Sequence, residues 1–188
     1  MKQHLLPAIK LTLVCLVFFC GVYTLLILGI AQAAPNKGEG QTLSVNQKVV
    51  GYALEGQSFT ADKYFNGRPS AAGYNAAASS GSNKGPSNPE NLKAVGDRID
   101  TFLVHNPGIT KEQIPSDLVT ASGSGLDPDI SLQGAMVQAA RIAQARHVAK
   151  EKIISLIQSN TEKSVLNGIE KINVLKINIQ LDHLNDHK

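Results

Sequence analysis

Cysteine is missing from everything after residue 20 of this 188-residue chain. Cys15 and Cys20 both lie inside one apolar run, where they read as small packing residues of a helix. The polar remainder therefore has no disulfide framework. At about 155 residues it buries enough surface to fold without one, so an oxidising compartment is not excluded. A charge excess is missing too. Lys2 and Lys10 are the only formal charges before Lys37, and the rest of the chain carries 16 basic residues against 15 acidic. That balance argues against a nucleic-acid surface, whose footprint is a clustered basic patch.

Recognisable catalytic machinery is also scarce. The stretches from Gly81 to Ser87 and from Ser122 to Gly125 carry the glycines that let backbone N–H groups approach an anion. Neither matches G-x-x-x-x-G-K-[ST], so both read as tight turns. Ser122 and Ser124 fail G-x-S-x-G, because the residues two before them are Thr120 and Ser122. Asp127 and Asp129 lack the further oxygen ligands and distal glutamate of a calcium loop and read as turn and helix-capping residues. Among His4, His105, His147, His183 and His187, only the last two have a metal-binding spacing, and they sit at the chain's end.

What the chain does have is one membrane-length apolar run. Leu11 to Ala31 contains no charge, and its length of about 31 Å matches a hydrocarbon core of roughly 30 Å. Ala31-Gln32-Ala33 is also a signal-peptidase-like site behind a basic N-terminus. The residues thus allow a retained anchor or a signal peptide cleaved after Ala33, although the run is longer than the usual h-region. Lys2 and Lys10 place the N-terminus in the cytoplasm and the bulk of the chain outside. The layout expected is a cytoplasmic tail (1–10), a transmembrane helix (11–31) and an extracytoplasmic domain (32–188).

Within that domain residues 35–41 read as a short flexible exit, and Val49 to Leu54 as a strand. Leu92, Val95, Ile99, Phe102 and Leu103 predict a helix capped by Asn88-Pro89 and stopped by Asn106-Pro107-Gly108. A second helix starts at Ser131 and runs to about residue 147; a third covers 150–159. Leu175, Ile177, Ile179 and Leu181 alternate with polar residues and predict a strand. The fold class is a small α/β domain behind one N-terminal transmembrane helix, its sheet covered by helices on one side.

Three polar, glycine-rich stretches complete the pattern: Tyr64-Phe65-Asn66-Gly67-Arg68-Pro69-Ser70-Ala71, Gly81-Ser82-Asn83-Lys84-Gly85-Pro86-Ser87-Asn88-Pro89, and Leu118 to Ser131 around Thr120-Ala121-Ser122-Gly123-Ser124-Gly125-Leu126-Asp127. In this order behind a single span, and ending in Ile172 to Asp182, they closely resemble the C subunit of the Kdp potassium-transporting P-type ATPase of bacteria and archaea. The resemblance implies an accessory subunit that holds no cofactor itself, while the complex handles ATP, Mg and potassium. The implied partners are a channel-like A subunit, an ATP-hydrolysing B subunit and a small F subunit, in the inner membrane. The family's ascribed roles are assembly and catalytic chaperoning that raises the B subunit's ATP affinity. No Asp-Lys-Thr-Gly-Thr motif is present, so this chain is not the hydrolysing subunit.

The resemblance carries over to Tyr64, Phe65, Gly67, Arg68, Pro69, Ser70, Ser82, Asn83, Ser87, Asn88, Pro89, Thr120, Ser122, Gly123, Ser124, Gly125 and Asp127, as partner-contact or structural candidates. It also favours a retained anchor and ordered loops over 66–89. Arg68 either presents its planar fork to a partner or pairs inside the domain. Three departures from the family's pattern stand out. Asn66 replaces an aromatic or histidine, and Thr24 and Ala140 replace prolines. The last two imply a straighter span and a more regular 131–147 helix. With motifs outside and ATP inside, the resemblance is read as a domain capping the A subunit near the ion entrance and acting on ATP affinity from a distance. The competing readings are a secreted binding domain released after Ala33 and a periplasmic serine hydrolase.

Overall fold

The structure, a computed structural model, describes residues 2–164 and 168–184. They divide into two compact units, Met1–Gln41 and Thr42–Lys188.

The first unit is a helical rod. Helix α1 (Lys2–Leu16) runs into a π-helical stretch, Val17–Tyr23, and then α2 (Thr24–Gln32). His4–Gln32 makes one apolar helix of 29 residues with a peak mean hydropathy of 2.7 and nothing of that peak buried. By length and composition it can cross a membrane, and it contains the expected 11–31. The π-helical stretch ends just before Thr24, which stands in place of proline. Thr24 Oγ1 donates to the Phe19 carbonyl at 3.0 Å, five residues back, as a wider π turn allows. Pro35–Gly38 forms a 3-10 turn, and Asn36 Nδ2 donates to the Gly40 carbonyl.

The second unit opens with a hairpin of β1 (Thr42–Val45) and β2 (Lys48–Tyr52). Asn46 and Gln47 at its tip both have positive φ, the conformation that two-residue hairpin turns require. Leu43 pairs with Gly51 and Ser44 with Val49, so Val50 is an extra, bulged residue. The Val50 carbonyl accepts from Gln57 Nε2 at 3.2 Å. The strand expected at 49–54 is thus present, slightly earlier.

Helix α3 (Pro89–His105) forms where the apolar spacing placed it. The Asn88 side chain accepts from the Glu90 and Asn91 N–H groups, and Pro89 occupies the first turn. Strand β3 (Asp129–Ser131) follows, and Ser131 then caps α4 (Leu132–Met136) by accepting from Gly134 N–H at 2.9 Å. After α5 (Ala139–Arg146) and α6 (Lys150–Ser159) come β4 (Glu162–Lys163), β5 (Glu170–Asn173) and α7 (Val174–His183). The second sheet is antiparallel in the order β3-β5-β4. Ile130 faces Ile172 across it, both buried. Their cluster includes Phe65, Ile142, Ile153, Ile157, Ile177 and Leu181. The architecture is mixed helix and sheet, as expected.

Two expectations fail. Residues 175–181 are helix, not strand. The buried set Val174, Leu175, Ile177, Asn178 and Leu181 follows helical spacing, and Asn173 caps the helix by accepting from Lys176 N–H at 3.0 Å. The strand lies just before, at Glu170–Asn173. The helix beginning at Ser131 is also broken, between Met136 and Ala139. Gln138 Nε2 takes the Gly134 carbonyl at 2.9 Å, and the Gln138 N–H bonds one residue nearer, to Ala135, at 3.1 Å. The side chain competes with the α-helical ladder and tightens that turn.

Ile157 is fully buried, whereas Val104 is 79% exposed. Ile157→Ala is expected to lower unfolding stability by about 2–5 kcal/mol. Val104→Ala should leave it within about 0.5 kcal/mol. Chemical denaturation of the detergent-solubilised chain checks both.

Candidate functional site

The first polar stretch, residues 64–70, belongs to neither sheet. Its backbone is held instead by side chains arriving from helices. Asn178 of α7 clasps Phe65, accepting from its N–H at 2.9 Å and donating to its carbonyl at 3.0 Å. Gln138 does the same for Asn66, at 2.8 and 3.3 Å. Each amide thereby reproduces a strand-like pair of bonds. Phe65 is fully buried as a result.

Two buried arginines fix the same run. The Arg146 side chain is 2% exposed. It donates to the Lys63 carbonyl at 2.7 Å, the Leu181 carbonyl at 2.8 Å and Asp182 Oδ1 at 2.8 Å. Its guanidinium lies 5.0 Å from the centre of the Tyr64 ring. The Tyr64 hydroxyl donates to the other Asp182 oxygen at 2.9 Å. Burial, then the Asp182 hydrogen bond, raises the Tyr64 pKa above that of free tyrosine. The Arg141 side chain is 4% exposed. It donates to Asn106 Oδ1, the Asp62 carbonyl, Asn66 Oδ1 and Gln138 Oε1. Desolvation pulls its pKa down, and the Asp62 carboxylate 3.7 Å away opposes that.

The first and third polar stretches lock together. The Arg68 guanidinium pairs with Asp127 at 2.9 Å, within the domain. Its Nε is buried without an acceptor among the described residues. Ser70 Oγ donates to the Gly125 carbonyl at 2.7 Å and accepts from the Ala72 and Tyr74 N–H groups. The Tyr74 hydroxyl donates to the Arg68 carbonyl at 2.6 Å, and burial raises the Tyr74 pKa. Ser122 N–H donates to the Pro69 carbonyl at 3.0 Å. Gly125 has φ +69°, and a β-carbon there would lie 2.7 Å from the Ser80 carbonyl oxygen. At Gly81 a β-carbon would lie 2.8 Å from the Gly123 carbonyl oxygen. Glycine is demanded by close backbone packing.

The remaining candidates have local roles. Thr120 Oγ1 donates to the Ser116 carbonyl, and Ser124 Oγ accepts from Leu126 N–H. Asp127 Oδ1 accepts from Asp129 N–H, the turn role expected of it. Asp129 ion-pairs with Lys171 on β5. Ser82, Asn83 and Ser87 are exposed and stand outside this cluster. Ser122 is buried. No group of three metal-ligating side chains occurs among the described residues. His187 of the terminal histidine pair lies outside those residues.

Two cavities flank Phe59. One, of about 330 Å³, lies between the hairpin and α7 and is lined by Val45, Val50, Phe59, Tyr64, Leu175 and Ile179, among others. The other, of about 400 Å³, is lined by Asp62, Asn66, Arg98, Phe102 and His105, among others. His105 Nδ1 lies 2.8 Å from Asp62. Sequence reasoning did not single out Gln138, Arg141, Arg146 or Asn178 as site residues. Their signal is polarity inside an apolar helical face, as in Ala139-Ala140-Arg141-Ile142-Ala143 and Ile177-Asn178-Ile179.

Comparison with known proteins bears on what this scaffold serves. Residues 5–183 match the family described as the c chain of the K+-transporting ATPase. A Flavobacterium psychrophilum protein named potassium-transporting ATPase KdpC subunit is 51% identical over 182 residues, covering 97% of this chain and 99% of its own. A Bacteroides fragilis protein of the same name is 51% identical, covering 97% and 98%. One from Bacillus mycoides is 45% identical, covering 97% of both chains.

Two measurements test this geometry. Gly125→Ala is expected to cost about 2 kcal/mol or more, from the positive φ together with the clash, as read by denaturant unfolding. The tyrosines give a pH signature. A tyrosine pKa raised in the folded state contributes stability that is fully present below the unfolded value of about 10 and is lost as pH climbs above it. Ultraviolet titration should therefore show Tyr64 and Tyr74 ionising above free tyrosine, with stability falling beyond about pH 10. Tyr74→Phe should remove its part of that fall.

Proposed function

Because the chain belongs to the KdpC family, that of the c chain of the K+-transporting ATPase, we propose that it is an accessory, non-hydrolysing subunit that stabilises the assembled potassium pump and raises ATP affinity without touching ATP. The observation that carries the first part is the family match across residues 5–183, supported by relatives about half identical over nearly their full length. Release as a secreted binding domain after Ala33 receives no support.

The second part rests on the internal bonds of the motifs. Arg68, Ser70, Asp127 and the Gly125 carbonyl each bond within the domain. Gly81 and Gly125 pack against backbone. In this reading the polar stretches are a rigid core for a domain that acts by contact. The helix His4–Gln32 is a retained anchor with its N-terminus in the cytoplasm, and the domain lies outside, capping the channel-like A subunit. An effect on the ATP-hydrolysing B subunit then arises because this subunit contacts two pump states differently. The small F subunit completes the assembly. ATP, Mg and potassium are handled by the complex.

Affinity purification of the chain from its native membrane tests the pump role. An uncleaved chain should carry a P-type ATPase and a channel-like polypeptide with it; a shortened chain recovered alone sinks the reading. The mechanism has its own test, in sealed right-side-out vesicles with a photoreactive ATP analogue only inside. Residues 120–127 are expected to stay unlabelled, and labelling there would show direct nucleotide contact.

A further inference from the structure

Arg98 on α3 stands apart from the other three arginines of the chain. Arg68, Arg141 and Arg146 each have a carboxylate within 3.7 Å, from Asp127, Asp62 and Asp182. Arg98 has none among the described residues. Its Nη1 donates to the Val119 carbonyl at 3.0 Å, which tethers the guanidinium. Its Nε and Nη2 make no bond among the described residues. These two N–H groups form one edge of the guanidinium, with parallel donors that suit the two oxygens of a carboxylate.

Arg98 lines the cavity of about 400 Å³ beside Phe59. That volume is near the small end of ligand pockets, roughly 300–1,000 Å³. Phe59, Phe102 and Leu118 give it apolar walls. The other charges on the lining are already matched. Asp97 pairs with Lys93 at 2.9 Å. Asp62 faces Arg141 at 3.7 Å and holds His105 Nδ1 at 2.8 Å. With His105 neutral, the surplus is one positive charge, that of Arg98. The amides are committed too. Asn66 and Asn106 bond to Arg141 and to the Phe59 and Phe102 carbonyls, and Thr101 Oγ1 donates to the Asp97 carbonyl. A peptide backbone would find few free partners here, and a dianion would meet one free cation beside two carboxylates. A ligand with a single anionic end and an apolar body meets both the free edge and the walls.

We propose that this cavity is a binding site for a small monocarboxylate whose body is one aryl ring or a short branched chain. The carboxylate lies on the Nε–Nη2 edge of Arg98, and the body packs among Phe59, Phe102 and Leu118. The site needs only the second unit and is independent of the pump reading. Occupancy stabilises the folded domain by mass action.

The test uses the detergent-solubilised full chain with phenylacetate and 4-methylpentanoate as probes, read by isothermal titration and by the unfolding midpoint. At least one acid is expected to bind saturably and to raise the midpoint with concentration. Benzylamine, of similar shape and opposite charge, and inorganic phosphate should do neither. Arg98→Gln should weaken binding about tenfold or more through loss of a charge-assisted pair. Arg98→Lys keeps the charge without the fork and should recover only part of that loss. Thr60→Trp, at an exposed position on the lining, keeps Arg98 and its Val119 bond and should block the cavity. It tests the site even where Arg98→Gln unfolds the domain. Lys111→Gln removes an exposed cation that does not line the cavity and should leave binding unchanged. Saturable binding of neither acid overturns the proposal, as does equal binding of benzylamine or phosphate. Full affinity in Thr60→Trp or in folded Arg98→Gln overturns it, and so does an equal loss in Lys111→Gln. Tighter binding of acetyl-Gly-Gly-Phe than of the free acids would assign the cavity to a polypeptide terminus and overturn it as well.

Discussion

The domain depends on a run of backbone that has no strand to pair with. Residues 62–66 pass close to the core, and an unpaired buried peptide group costs about 1–3 kcal/mol. Helices supply the missing partners through side chains: Arg141 for the Asp62 carbonyl, Arg146 for the Lys63 carbonyl, Asn178 for Phe65 and Gln138 for Asn66. Asn178 and Phe65 are 113 residues apart in sequence, so these bonds also close the chain on itself. Phe65 can be fully buried only because both its peptide groups are satisfied in place.

That arrangement explains why buried arginines are tolerated. A guanidinium taken out of water is costly unless its donors are occupied. Arg146 has a carboxylate partner and the C-terminal carbonyl of Leu181, where the helix dipole favours a cation. Arg141 relies mainly on neutral oxygens, with Asp62 at a distance. It reads α3 through Asn106, the loop through Asp62 and Asn66, and its own helix through Gln138. Rigidity follows from the number of elements each cation joins.

Sequence made some of this legible and hid the rest. Helix α3 and its Asn88 cap, the Ser131 cap and helix α6 follow from local spacing and capping chemistry, which need no distant partner. The terminal helix was obscured because Leu175, Ile177, Ile179 and Leu181 alternate, while the helical reading needs Val174 and the polar Asn178 on the buried face. An amide looks like a surface residue until its partner is known. The break at Gln138 was hidden for the same reason, since its side chain competes with the ladder only because Asn66 and Arg141 hold it in place. The internal partner of Arg68, Asp127, lies 59 residues away and was not legible from local sequence.

The division of labour between polar and apolar residues points outward. In most surfaces polar groups face solvent or partners and apolar groups face inward. Here the first and third polar stretches bond to each other and to helix side chains, and Gly81 and Gly125 serve close backbone approach. The hairpin carries exposed aliphatic and aromatic side chains, Val49, Val50 and Tyr52.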